Sequence, residues 1–210
     1  MAVALEGVCA GKAAVSGNLP TPLGRGCAGR KARLYAVNAG LDRESALCAR
    51  LARLMPADLL LDAFVPKKEK WFKRGGSWSL QAKPMWPGYL LVSTPDPEAL
   101  DGLMLRMSSP RRLAGEVGRG FAPLDGAVES WLLACMDASH VVRGSVGYLV
   151  GGSLRVASGP LAGREPSVLR YDRHKRTALV ALTPMGAQGP CETLALDVPS
   201  APSEGVPACL

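Results

Sequence analysis

Glycine and proline break this chain so often that no element can run long. The chain holds 24 glycines and 17 prolines among 210 residues, about a fifth of the total, which favours many turns and short elements over a helical bundle. Apolar residues make up 48%, enough to build a real core. The length suffices for one large domain or two small ones. Apolar runs such as Leu59–Val65, itself broken by Asp62, fall far short of the ~20 residues a membrane span needs. Glu6 and Lys12 interrupt the apolar N-terminal stretch, which argues against a signal peptide. The six cysteines stand singly with no CxxC pair. A structural zinc site is therefore not expected, and the thiols read as reduced in a cytoplasmic protein.

The punctuation divides the chain. Residues 1–32 are rich in Gly, Ala and Pro without a period and read as a flexible extension. Leu34–Ala39 alternates as a strand closed by Gly40. Asp42 is placed to cap a helix whose apolar stripe is Ala46, Leu47, Leu51, Leu54 and Met55, ended by Pro56. Leu59–Val65 is a second strand candidate. Residues 67–83 carry six basic side chains and one acidic, with Trp71, Phe72 and Trp78 interleaved and Gly75-Gly76 at a hairpin tip. Basic residues interleaved with aromatics suit nucleic acid and equally a solvated arm. Tyr89–Ser93 is nearly all apolar and reads as a central strand. Asp96 and Pro97 open a helix with Leu100, Leu103, Met104 and Met107 inward. A further helix over 125–137 places Val128, Trp131, Leu132 and Cys135 on one stripe. These elements describe a small α+β sandwich over 33–138.

Beyond a linker at 139–147 the texture changes. Short alternating runs at Ser153–Ala157, Ser167–Tyr171, Thr177–Leu182 and Glu192–Val198, separated by turns, predict a small β-barrel over 148–198. Residues 199–210 form a Pro/Ser/Ala-rich tail.

The net charge is +7, and residues 140–182 hold seven basic side chains against two acidic. Polyanions, nucleic acid above all, are the natural partners of such a module. There is no Walker loop, GxGxxG or HExxH, and His140 and His174 lie far apart. No catalytic residue, metal ligand or cofactor is expected. Two segments carry more information. Trp86-Pro87-Gly88-Tyr89 stands at a strand entrance, where Trp86 and Tyr89 either present an exposed apolar patch or close the core. Ser158-Gly159-Pro160-Leu161-Ala162-Gly163 and Asp172-Arg173-His174-Lys175-Arg176 are loops flanking a strand. Their cations would form one positive edge that meets backbone phosphates without a base code.

On these residues the chain resembles the NusG family of transcription elongation factors. Leu34-Tyr35-Ala36-Val37, Phe64-Val65-Pro66 and Trp86-Pro87-Gly88-Tyr89-Leu90 are similar to the family's N-terminal domain over 34–138. Gly159-Pro160-Leu161-Ala162-Gly163 and Asp172 are similar to its KOW module over 148–198. The Asp-Arg-His-Lys-Arg turn and Ser145-Val146-Gly147-Tyr148 resemble the LoaP-like specialised paralogs. Three positions depart from the family pattern. Pro166 stands where a glycine is usual, Leu34 where Trp is common, and Gly151-Gly152 in place of glycine and an acid.

The resemblance implies an α/β sandwich with an antiparallel sheet, followed by an SH3-like barrel. It implies a processive antiterminator whose first domain binds the clamp helices of RNA polymerase through Tyr35, Phe64, Pro66, Trp86, Pro87, Gly88 and Tyr89. The KOW module would contact nascent RNA, such as a structured leader element. Arg164, Arg170, Arg173, His174, Lys175 and Arg176 are its candidates, from charge and motif position. The expected protein is a cytoplasmic monomer with no membrane contact. Two other readings stand beside it: a housekeeping factor coupling polymerase to a ribosomal protein or Rho, and a ribosome-associated KOW protein.

Overall fold

The first half of the chain contributes β1 (Arg33–Asn38), α1 (Glu44–Leu54), β2 (Asp62–Phe64), β3 (Lys67–Arg74), β4 (Ser77–Pro84), β5 (Tyr89–Thr94) and α2 (Pro97–Leu105). Two short strands follow, β6 (Gly115–Glu116) and β7 (Gly120–Phe121), then α3 (Gly126–Cys135). The remainder holds β8 (Val141–Val142), β9 (Ser145–Val150), β10 (Ser153–Ser158), β11 (Val168–Asp172), β12 (Thr177–Ala181) and β13 (Cys191–Asp197). These come from a computed structural model that describes residues 31–116, 120–184 and 186–199. Almost all of the expected extension, and the tail beyond Pro199, lie outside the described residues. The chain is α+β.

Period-two alternation explains the first layer. β5 lies between β1 and β2, antiparallel to both, which makes it the central strand that its apolar run predicts. Tyr35, Val37, Leu90 and Val92 share one side with Leu47 and Leu51 of α1 and Leu100 and Met104 of α2. Leu34, Ala36, Phe64 and Leu91 share the other with Val128, Trp131, Leu132 and Cys135 of α3. Both later helices are capped as their Asp residues dictate. Asp96 accepts from Ala99 N–H at 3.1 Å and Asp125 from Ala127 N–H at 2.9 Å.

Three local expectations are corrected. Asp42 does not cap α1: it sits in the left-handed region (φ 59°), and Arg43 takes the cap position without a side-chain bond. The helix instead turns Glu44 inward, where its Oε1 accepts from Gly88 N–H at 2.5 Å. The buried stripe is therefore Glu44, Leu47 and Leu51, while Ala46 and Leu54 face solvent. Of Leu59–Val65, Asp62–Phe64 pairs with β5 in register, and Leu61 N–H donates to Ser93 O of β5 at 2.9 Å. Leu59 and Leu60 donate back to Pro56 O instead, a turn that withdraws them from the ladder. The third correction concerns the linker.

Residues 139–147, expected as a linker, form a strap. β8 is buried and pairs parallel with β3, Lys67 opposite Val141 and Lys68 opposite Val142. Asp137 holds the approach, accepting from Ser139 and Val141 N–H at 2.8 and 3.0 Å. Glu69 accepts from Gly144 N–H at 2.7 Å and pairs with Arg143 at 3.0 Å. β9 then begins at Ser145.

β9 to β13 form a five-stranded sheet in the order β10-β9-β13-β12-β11, with β13 and β9 parallel. Val156, Ala178, Val180, Leu194 and Leu196 gather with Leu161 in its interior. Gly151-Gly152 make the β9–β10 turn at φ 56° and 83°, as left-handed hairpin tips require. Pro166 is accommodated in a helical turn over Glu165–Ser167, where its fixed φ is no burden. Glu165 of the same turn accepts from Val156 N–H at 3.0 Å and so keeps the loop on the sheet.

The two halves share one apolar cluster, in which Trp86 and Trp131 stand with Leu161, Leu182 and Leu194. Polar contacts frame it. Lys68 pairs with Glu192 at 2.5 Å, and the Cys135 thiol donates to Pro160 O at 3.8 Å.

Candidate nucleic-acid and protein interfaces

The cationic turn between β11 and β12 is held by its own aspartate. Asp172 Oδ1 accepts from Lys175 N–H at 3.0 Å, and Arg176 takes φ 51°. The Lys175 N–H, seconded by the Lys175 charge, keeps the Asp172 carboxyl below the usual carboxylate range, so it stays ionised and acts as an acceptor. The turn exposes His174 and Lys175. Beside it lies a concavity of about 720 Å3, walled by Arg170, Arg173, His174 and Lys175 and floored by Leu179 and Thr193. Arg170, Leu179 and Thr193 form one row across β11, β12 and β13. The two floor residues were invisible to charge counting, and only strand register brings them there.

Of the six expected RNA-contacting residues, four therefore come together. Arg173 does so half-buried, its Nε donating to Val198 O at 3.1 Å. Arg164 stands apart, next to Leu161 and close enough to Cys135 to influence its thiol. Arg176 is not part of that wall and instead lines a smaller hollow with Arg173, His174 and Asp197. Its guanidinium lies 4.9 Å from the Trp71 ring and 5.2 Å from the Trp78 ring and pairs with Asp197 at 3.1 Å. It latches the second sheet onto the β3–β4 hairpin. Arg176→Ala is expected to remove about 2 kcal/mol of stability and to red-shift the Trp71/Trp78 emission. Unchanged emission and unfolding midpoint would refute the latch.

The expected docking residues fold differently from an exposed patch. Gly88, at φ 86°, accepts from Ala39 and Gly40 N–H at 2.8 and 3.2 Å. With the Glu44 bond this ties β5 to the end of β1. Trp86 is only 6% exposed and lies in the apolar cluster, so its ring closes the core. Tyr35, Phe64, Pro66 and Gly88 are also buried, Tyr89 is half-buried, and of the seven only Pro87 is exposed. Tyr35 belongs to the α1/α2 side of the sheet, whereas Phe64 and Tyr89 belong to the α3 side. Phe64 is further covered by His140, stacked at 4.0 Å and 8°, whose Nε2 lies 3.3 Å from Asp62.

Burial raises the Cys135 thiol to about 11, so it remains protonated and is no nucleophile at neutral pH. Among the described residues no three His, Cys, Asp or Glu side chains group as metal ligands. No described helix is long and apolar enough to cross a membrane. No protein-family model matches the chain, and no curated protein matches it.

Proposed function

We propose that the protein is a processive antitermination factor of the NusG type, acting on particular operons. Its first unit would bind the clamp helices of RNA polymerase and its second, read as an SH3-like KOW barrel, would bind nascent RNA. The observation that carries this reading is the cationic concavity of Arg170, Arg173, His174 and Lys175 on the second unit, which offers phosphate contacts at one rim. The work is binding, not chemistry. A factor that prefers the closed clamp shifts polymerase away from the paused state, and RNA held by the second unit raises the local concentration of the first. Docking through Phe64 and Trp86 requires their buried face to open, since only Pro87 and Tyr89 reach solvent among the seven candidates.

Two measurements test the reading. Polymerase is expected to be retained by the tagged protein from a cell lysate both with and without nuclease. Arg170→Ala with Lys175→Ala is expected to weaken binding of structured RNA and to lower the slope of log affinity against log salt by about 2, with polymerase retention unchanged. Loss of polymerase in both lysates would remove the first half of the proposal, and an unaltered salt slope the second.

One observation favours the housekeeping alternative. Val146, Tyr148 and Val150 alternate along β9 and are 42%, 41% and 55% exposed, an apolar strip suited to a protein partner. Recovery of a ribosomal protein or Rho, lost in Tyr148→Ser, would select it.

A further inference from the structure

The β3–β4 hairpin has two unlike faces. Register places Trp71 opposite Leu80 and Lys73 opposite Trp78 on one of them, where Trp71 and Trp78 carry Arg176 of the second sheet. The other face begins at Lys68, which is paired with Glu192 of β13, and beyond it carries Lys70, Phe72 and Arg74 from β3 and Ser77, Ser79, Gln81 and Lys83 from β4. The hairpin itself places no acidic residue on that face, and among the described residues none of Lys70, Arg74 and Lys83 pairs with a carboxylate. Phe72 is its one apolar side chain and is partly exposed. The ammonium groups of Lys70 and Lys83 lie 5.9 and 5.7 Å from its ring centre.

We infer that this outward face binds single-stranded nucleic acid, as a site separate from the cationic concavity of the second sheet. An aromatic ring on a solvated strand face is worth explaining, because such faces are ordinarily polar. A ring flanked by two unpaired lysines offers a stacking platform with phosphate contacts on either side, the combination that holds unpaired bases without reading sequence. Ser79 stands directly across from Phe72 and Gln81 across from Lys70, and they supply hydrogen-bonding groups beside the platform. A duplex, whose bases are already stacked, gains only the phosphate contacts there. The site needs neither the polymerase surface nor the Arg170 concavity. It adds a second nucleic-acid contact to the first: one on a hairpin of the first half, one on a turn of the second.

The test uses the full chain carrying Arg170→Ala and Lys175→Ala, so that the concavity is silenced. Fluorescein-labelled U12, dT12 and a 12-base-pair duplex are titrated and followed by anisotropy. Phe72→Leu, which keeps an apolar side chain but removes the ring, is expected to weaken both single strands about tenfold and to leave the duplex unchanged. Phe72→Trp is expected to retain affinity. Lys70→Ala with Lys83→Ala, two surface changes that spare the fold, is expected to weaken both single strands and flatten their salt dependence. The tighter of the U12 and dT12 complexes identifies the source of the strand. Single-strand affinity untouched by Phe72→Leu, or no binding at all in the silenced background, would overturn the inference. An intact hairpin site with an unaltered Arg170/Lys175 salt slope would instead count against the concavity alone.

Discussion

Gly159→Ala is expected to cost the second unit about 3–5 kcal/mol, from overpacking and backbone strain together. Gly159 sits at φ 95°, where a Cβ is strained in any surroundings. Here the surroundings are also full. A Cβ would stand 2.6 Å from Ser145 Oγ and 2.7 Å from both Gly144 O and Ser145 Cα. Two of those three are backbone atoms of the strap that joins the halves of the molecule. The same approach lets Ser145 Oγ accept from Leu161 N–H at 3.2 Å, and Leu161 is fully buried. Gly163, at φ 72° with open space around it, is the control: alanine there is expected to cost only about 1–2 kcal/mol, the strain without the clash. Denaturant unfolding of the two variants measures the difference. Equal losses would mean that the strap does not press on Gly159.

Trp86→Ala is expected to destabilise the protein by about 3–5 kcal/mol, the loss typical of a buried tryptophan, and so cannot serve as a clean probe of polymerase docking. Trp86 stands in the apolar cluster beside Met85 and Trp131. Its Nε1 is buried without a hydrogen-bond partner among the described residues. Trp86→Phe, which removes that unbonded donor and keeps a ring, is expected to retain most of the stability. Calorimetric melting of the pair checks this, and equal melting temperatures for the alanine and phenylalanine variants would contradict the buried placement. Pro87→Ala and Tyr89→Ala reach solvent-facing groups of the same turn and are the variants with which to probe docking.

These two sites show where reading the chain succeeds and where it stops. Gly75-Gly76 and Asp96 act within a few residues of themselves, through φ and through a side chain meeting its own helix end. Their roles were legible because the interaction is local. The apolar run of Tyr89–Ser93 and the stripe of Val128, Trp131, Leu132 and Cys135 were legible for a related reason: the apolar pattern records whether an element is dry on both sides or on one.

Glu44 shows the limit. Its inward turn answers a bond from Gly88, 44 residues away, and that bond displaced the cap expected at Asp42. The strap over 139–147 looks like a linker by composition, yet β3 offers it an edge and Glu69 and Asp137 fix its ends. Arg176 stands in a run of cations that charge alone cannot divide. Arg173, His174 and Lys175 wall the larger concavity, while Arg176 stacks on Trp71 and Trp78, more than 90 residues earlier. By itself, then, the sequence determined the short elements, their turns and their dry faces, because each depends on neighbours along the chain. The tertiary structure alone decided which rings stay exposed, which cations share a rim and where the two halves meet, because burial and pairing between distant segments have no local signature.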